Sequence, residues 1–473
     1  MESPISILDI PLIQDQIALN LATQDLVACA LVCRAWSEAF NPILWNFIRI
    51  GSTIQQRRFI RVQESARYRS HARTLTTAYP LSSSLSPSCA VLPNLTRLKC
   101  RLNASCQQNE GIVETMFLFI QAHESLITVQ LSSLTVDHTF PGIFERCVKD
   151  HPSLTSLDLS IRGFISVEDL SKVLNDCTRL ERLRLRVATY LYYEDAWDII
   201  PEKLMGDQRN CRLTDFAIDQ EHRCVFDPVI LQFLERCPLL RTLSLPLSKG
   251  ESTLISLGPL ISAHCPQLQH LQLGRATQTG LAAVLQACSA GLLALTMPVA
   301  CLNAVPAILA HRRTLMKLDL LTGMGLQSAS ELFSITNSCP QLKDLALKVK
   351  FFDSSRDALG ANEETLARLL SQDWVCTNLE NLTLELQDCA TERPRLPYIE
   401  YMYQQLGRLT RLKSLWMNFG KERGLLELSQ GFRDHLQSLA GLKDLDRLRI
   451  DAVEQASVDE LIWITTQWPN IKL

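Results

Sequence analysis

The sequence of 473 residues lacks the short motifs that mark common catalytic and phosphate-binding sites. It has no Gly-x-x-x-x-Gly-Lys loop, no His-Glu-x-x-His pair and no Gly-x-Ser-x-Gly turn. The 16 cysteines form no Cys-x-x-Cys pair, and Cys29 and Cys33 have no second pair of ligands nearby at metal-binding spacing. We therefore predict no catalytic residue, no metal site and no bound cofactor, and we expect that the protein is not an enzyme.

Positive and negative charges nearly balance in this sequence. No uninterrupted hydrophobic segment is long enough to suggest a membrane span. The net charge is −3 and the pI about 6.3, which favours neither a nucleic-acid partner nor an anionic membrane surface. The longest uncharged run, 276–310, contains Pro298 and Pro306, so we predict a buried strand and helix there. The first residues lack a basic signal-peptide region, and the cysteines are typical of reduced, buried packing. These features predict a cytoplasmic or nuclear protein, or one found in both compartments.

A Leu-x-x-Leu-x-Leu pattern recurs through most of the chain, often with Cys three residues before its first leucine. Its mean spacing of about 29 residues leaves room for a strand and a helix in most units. We predict an α/β solenoid with a parallel sheet on the concave side and helices on the convex side. Thirteen units begin at Leu95, Leu126, Leu154, Leu180, Leu213, Leu240, Leu268, Leu292, Leu315, Leu342, Leu379, Leu412 and Leu445, and Ile471 starts a truncated last one.

Residues 5–50 differ from the repeats, because 29 of these 46 residues are apolar and only six are charged. The pattern predicts about three short helices, with Leu26 to Trp36 in one of them and a final short segment from Asn41 to Trp45. A unit this small cannot bury all of its apolar surface on itself. From composition alone, it either docks on the repeats or presents an apolar face to another protein.

The residues of this segment resemble an F-box. The matching positions are Ile10-Pro11-Leu12, Asp25-Leu26-x-x-Cys29-x-x-Val32-Cys33-Arg34-x-Trp36 and Pro42-x-Leu44-Trp45. The repeats in turn resemble a degenerate, fungal-like form of the cysteine-containing leucine-rich repeats that are common beside F-boxes.

This resemblance implies a substrate-recognition subunit of a cullin-RING (SCF-type) ubiquitin ligase. It implies that the F-box binds a Skp-type adaptor, and through it a cullin, while the repeats hold a protein for ubiquitin-dependent degradation. The identity of that protein substrate stays unknown. The alternative is a non-ligase leucine-rich-repeat scaffold with a vestigial F-box packed on its own repeats. The residues implied in the adaptor contact or its immediate support are Pro11, Leu12, Ile17, Leu26, Val32, Trp36 and Trp45.

Side chains between the repeat leucines should point to the concave side, because alternate residues of a strand face opposite sides of a sheet. Among them, Arg182, Arg184 and Arg186 put three like charges on one strand face, and Trp416 puts a large aromatic there. We name these four as candidate substrate-binding residues. The arginines are alternatively part of a solvated sheet neutralised by acids on the flanking strands, and Trp416 is alternatively covered by a neighbouring loop.

The predicted domain order is an F-box domain at 1–50, a basic helical connector at 51–72 and leucine-rich repeats at 73–473. Residues 73–76 are predicted to be the first, capping strand of the sheet. Four spacers between strands are unusually long, and we expect either extra local packing or partner recognition from them. These spacers are 186–212, 348–378, 385–411 and 418–444.

Overall fold

A computed structural model shows the chain as two compact units, residues 1–229 and 230–473. The structure describes residues 16–17, 20–52, 55, 59, 65–78, 92–101, 112–136, 142, 144–145, 148–149, 151–163, 167–188, 211–220, 227–245, 251–274, 278–288, 291–297, 304–320, 329–350, 372–387, 396–418, 437–450 and 458–472.

The first unit begins with helices and continues as parallel strands that pair in chain order. Its described helices are α1 (Thr23–Val32), α2 (Arg34–Asn46), α3 (Ala66–Arg69), α4 (Ile112–Gln121) and α5 (Val167–Asp176), and α6 (Asp227–Leu234) contains the boundary with the second unit. Its described strands are β1 (Phe47–Ile50), β2 (Thr74–Thr77), β3 (Arg97–Arg101), β4 (Thr128–Val136), β5 (Ser156–Gly163), β6 (Arg182–Ala188) and β7 (Asp215–Gln220).

The second unit continues the same alternation, and its strands are again parallel and paired in chain order. Its described strands are β8 (Thr242–Leu245), β9 (His270–Leu273), β10 (Ala294–Thr296), β11 (Lys317–Leu320), β12 (Asp344–Lys350), β13 (Asn381–Gln387), β14 (Ser414–Asn418) and β15 (Arg447–Ile450). Its described helices are α7 (Glu251–His264), α8 (Gln278–Ala287), α9 (Ala304–Leu309), α10 (Ala329–Thr336), α11 (Leu396–Gly407) and α12 (Val458–Gln467). A bridge between Arg447 and Lys472 places the truncated last repeat beside β15.

The repeat leucines form the core, as the α/β solenoid prediction requires. All thirteen are at most 3% exposed. The recurring cysteines Cys177, Cys237, Cys265, Cys339 and Cys376 are buried thiols. The Cys177 and Cys237 thiols donate hydrogen bonds to carbonyl oxygens four residues earlier, at 3.1 and 3.4 Å. A small apolar residue with a weak donor therefore fits this position, where a helix ends and an unpaired carbonyl must be satisfied.

Two sequence predictions about the N-terminal segment are wrong. The helix expected from Leu26 to Trp36 is interrupted at Cys33, whose backbone is extended (φ −157°, ψ 172°), and α2 then runs through Pro42 to Asn46. The sheet begins at β1 rather than at residue 73, because Phe47–Ile50 pairs in parallel with Thr74–Thr77. The first strand of the sheet thus follows the N-terminal helices directly.

Most of the basic connector lies outside the described residues. Among those described, Phe59 is 3% exposed, and α3 forms a single turn before β2. The described part of the connector thus contributes at least one aromatic side chain to the buried interior.

Candidate functional site

The N-terminal helices pack as a pair around Leu26 of α1 and Phe40 of α2, which are 8% and 2% exposed. Phe40 meets the Trp36 ring edge-on, with 5.7 Å between the ring centroids. The partly buried residues around this centre are Ile17, Leu21, Cys29, Ala30, Trp36, Ala39, Ile43 and Leu44. This small core uses only one side of α1.

The opposite side of α1 carries an exposed apolar patch. Val27 is 46% exposed, Leu31 81% and Val32 65%. Positions three or four apart are neighbours on a helix surface, so Val27 and Leu31 are adjacent, and Ala28, which is also exposed, joins them to Val32. We call Val27, Ala28, Leu31 and Val32 the α1 apolar face. Exposed large side chains grouped in this way are typical of a protein-binding surface.

The structure places the residues implied in adaptor binding in different surroundings. Ile17, Leu26 and Trp36 belong to the helix-pair core, whereas Val32 lies on the α1 apolar face. Trp45 packs against the Tyr68 ring of α3, with centroids 4.9 Å apart, and so supports the junction between the helices and the sheet. Pro11 and Leu12 lie outside the described residues.

Sequence reasoning did not single out Val27 and Leu31. A helical projection of α1 contains the signal, because these residues lie opposite Leu26, Cys29 and Ala30. It was obscured by the apolar character of the whole helix and by the break at Cys33, which limits the projection to residues 23–32.

The arginine stripe of β6 is exposed and has acids in register on both neighbouring strands. Arg182 lies beside Asp215 and Arg186 beside Asp219 on β7, and Arg184 lies beside Asp158 on β5. The Arg186 Nε atom is 4.0 Å from a carboxylate oxygen of Asp219. Acids therefore lie in register beside all three arginines, and one of these pairs, Arg186 with Asp219, is within ion-pair distance.

Trp416 of β14 is half-buried rather than fully presented to solvent. Arg449 of β15 lies beside it in register, with the guanidinium carbon 5.2 Å from the ring centroid. Such a cation–π contact covers part of the ring face. In the third long spacer, Tyr401 and Tyr403 are 8% and 1% exposed and pack inside, whereas the aromatic residues of the first spacer lie outside the described residues.

Three buried histidines, His123, His151 and His311, end helices or turns where other repeats place Cys. The Nδ1 atom of His311 accepts a hydrogen bond from the Leu292 backbone N–H at 3.3 Å, and its Nε2 donates to the Leu285 carbonyl oxygen at 2.9 Å. Burial lowers the pKa of all three imidazoles. These neutral rings connect neighbouring repeats, so their role is structural.

The buried thiols are equally unsuited to chemistry. Burial raises the pKa of Cys265 and Cys376 to about 12, so neither supplies a thiolate near neutral pH. Within the described ranges, no group of three or more His, Cys, Asp or Glu residues is arranged to hold a metal ion. The helices in those ranges include none that is long and apolar enough to cross a membrane.

Comparisons with known proteins bear on the N-terminal segment and on the whole chain. No curated protein matches the sequence. Among solved structures, the chain is similar to the crystal structure of the Rad7 and Elc1 complex in yeast, with 17% identity and a TM-score of 0.40, over 81% of this chain and 90% of that one. A family model described as F-box-like matches residues 13–50. The helix pair that carries the α1 apolar face therefore lies within an F-box-like domain.

Proposed function

We propose that this protein is the substrate-recognition subunit of a cullin-RING (SCF-type) ubiquitin ligase. In this proposal the F-box-like domain binds a Skp-type adaptor, which links it to a cullin. The repeats, of the cysteine-containing leucine-rich type, bind a protein substrate. The chain performs no chemistry itself and acts by holding lysines of the substrate near a charged ubiquitin-conjugating enzyme.

The α1 apolar face is the observation that supports this proposal best. The F-box-like domain buries one side of α1 in its own small core and leaves Val27, Leu31 and Val32 exposed. Leaving three large aliphatic side chains in water is unfavourable, and a helical partner that covers them recovers that free energy. Val27, Leu31 and Val32 are thus the proposed contacts, together with Pro11 and Leu12. Ile17, Leu26, Trp36 and Trp45 support them from within.

The same face argues against a vestigial F-box. A binding scaffold that had lost its adaptor would be expected to cover these side chains with its own repeats. In the described part of the chain, Leu31 keeps 81% of its surface exposed. An adaptor-binding role accounts for this exposure, and a self-packed remnant does not.

Co-elution with a Skp-type adaptor tests the proposal. The full chain and purified adaptor, mixed at micromolar concentration, should leave a size-exclusion column together, and the Leu31→Asp variant should leave separately. Circular dichroism should show both chains equally folded, because Leu31 makes little contact with the core. A folded wild-type chain that elutes apart from the adaptor would rule out the ligase role.

A further inference from the structure

The outward side of β3 carries three exposed basic side chains in a row, Arg97, Lys99 and Arg101. Leu98 and Cys100 between them point into the core. On β1, Arg49 is also exposed and shares a register row with Lys99, through Thr76 of β2. We call Arg97, Lys99, Arg101 and Arg49 the basic stripe.

The strands on either side of β3 bring no acid to this stripe. Thr74 and Thr76 of β2 lie beside Arg97 and Lys99 on one side. On the other side, the outward residues of β4 in register with β3 are Thr128, Gln130 and Ser132. In the part of the chain that the structure describes, none of the four basic side chains forms an ion pair or a hydrogen bond.

The acid closest in register to β3 is already engaged. Asp158 lies two strands away on β5, where one carboxylate oxygen accepts a hydrogen bond from the Gln130 amide at 3.2 Å. Its other neighbour in register is Arg184 of β6. The β6 arginines thus have acids on both flanking strands, whereas the basic stripe has none.

We propose that the basic stripe binds an extended, acidic segment of the protein substrate. In this segment, carboxylate side chains alternate with neutral ones. Every second side chain of an extended strand points the same way at intervals of about 6.6 Å, and the stripe has this same spacing along β3. A strand laid along β3 therefore places one carboxylate over each of Arg97, Lys99 and Arg101. Arginine and lysine bind carboxylates through charge-assisted hydrogen bonds.

This inference names the ligand class for the repeats of the proposed receptor, and so it rests on the proposed function. The proposed substrate contact therefore lies on β3, and not on the arginines of β6. Protein is favoured over nucleic acid because the strands that flank β3 present Thr, Gln and Ser, so that the exposed Phe47 of β1, two strands from Arg97, does not form a row of aromatic rings along β3 on which successive bases could stack. The net charge of −3 is likewise unlike that of a nucleic-acid-binding chain.

Fluorescence anisotropy with the full-length chain tests the proposal directly. The probe is a fluorescein-labelled synthetic peptide of alternating Glu and Thr. A peptide of the same composition with its Glu residues in one block, and a single-stranded thymidine oligonucleotide, are the comparison ligands. The stripe variant is Arg97→Gln/Lys99→Gln/Arg101→Gln, and the matched control is Arg182→Gln/Arg184→Gln/Arg186→Gln, which removes the same charge from β6.

The alternating peptide should bind at low salt and weaken as salt is added. The stripe variant should bind it at least about fivefold more weakly, and the β6 control within about twofold, because acids lie in register beside the β6 arginines whereas the described strands that flank β3 bring none to the stripe. A charge exchange gives an independent check: Lys99→Glu should lose the peptide and regain binding when the central Glu of the peptide is replaced by Lys.

Three results would overturn the inference: no binding to the wild-type chain, equal losses in the two triple variants, or tighter binding of the block peptide or the oligonucleotide. Adaptor binding is measured on the same samples. Retained adaptor binding without peptide binding refutes the acidic ligand alone. Absence of adaptor binding by the wild-type chain refutes the proposed receptor function.

Discussion

Leu31→Ala should weaken adaptor binding while leaving the chain stable. Complete burial of a leucine side chain contributes roughly 1.5–3 kcal/mol. Leu31 is 81% exposed in the free chain, so an adaptor that covers it gains most of this amount, and alanine retains a minor part. The expected loss is about 1–2 kcal/mol, or about 5- to 30-fold in Kd.

Two further variants show whether the loss is specific to the α1 apolar face. Ile255→Ala removes a side chain that is also half exposed, at 51%, from α7 in the second unit, and it should leave the adaptor Kd within about twofold. Leu26→Ala lies one residue before Val27 but is only 8% exposed. It should lower the free energy of unfolding by about 2–5 kcal/mol.

Isothermal titration calorimetry with purified adaptor measures the affinities, and thermal unfolding followed by circular dichroism measures the stabilities. Leu31→Ala should change the free energy of unfolding by less than about 0.5 kcal/mol. If Leu31→Ala binds the adaptor as tightly as the wild-type chain, the α1 apolar face is not the contact. If Leu31→Ala unfolds the chain, the Leu31 side chain contributes to the core of the free protein and is not available to the adaptor.

Three other perturbations have defined outcomes. Gly407→Ala should lower the free energy of unfolding by about 1–3 kcal/mol, since an added Cβ would overlap a backbone carbonyl. Gly142→Ala is the matched control, because the space around Gly142 is open. Equal shifts of the unfolding temperature in the two variants would contradict the predicted overlap at Gly407. The three buried histidines have lowered pKa values in the folded state, so the stability they contribute is complete above the unfolded value of about 6.5 and is lost as pH falls below it. In urea titrations, His311→Gln should therefore reduce the slope of stability against pH between about pH 6.5 and 5.5, and an unchanged slope would exclude this residue. Iodoacetamide under native conditions should modify exposed Cys33 but not buried Cys376, as read by peptide mass spectrometry, and rapid labelling of Cys376 would contradict its burial.

The repeats were predictable from sequence because one rule governs every unit. A leucine that starts each repeat must be buried against its neighbours, so the period alone identifies Leu95, Leu342 and the other eleven as core. Strand alternation likewise predicts which side chains point outward. These features depend on residue spacing, which the sequence states directly.

The N-terminal segment was harder to predict because tertiary packing overrides local preference there. Proline inside a helix costs about 3 kcal/mol, so local preference alone disfavours a helix through Pro42. The helix continues through it, with Phe40, Ile43 and Leu44 of the same helix in the shared core. The break falls instead at Cys33, where no proline or glycine marks it.

The candidate surfaces were only partly predictable, for a different reason. Strand alternation predicts both the outward arginines of β6 and the acids on its flanking strands, and the register of the sheet brings them side by side. The exposed charges of β3 are better candidates than those of β6 for binding an acidic ligand, because threonine, serine and glutamine lie beside them on the flanking strands. Assessing a surface charge requires the side chains on adjacent strands, and here also the hydrogen bond from Gln130 that engages Asp158.

The direct passage from α2 into β1 constrains where the F-box-like domain can be cut off in a chain that is used to capture proteins binding the repeats. A truncation after residue 50 also deletes Ile48 and Ile50, which are 8% and 1% exposed, and makes β2, which still pairs with β3, the new edge of the sheet. A newly exposed edge strand invites aggregation and nonspecific capture. Proteins captured by the truncated chain would include some that bind the new edge strand and some that bind the repeats. A full-length chain with Leu31→Asp, or a chain that starts at Phe47, keeps β1 paired with β2. Either change still removes the proposed adaptor contact.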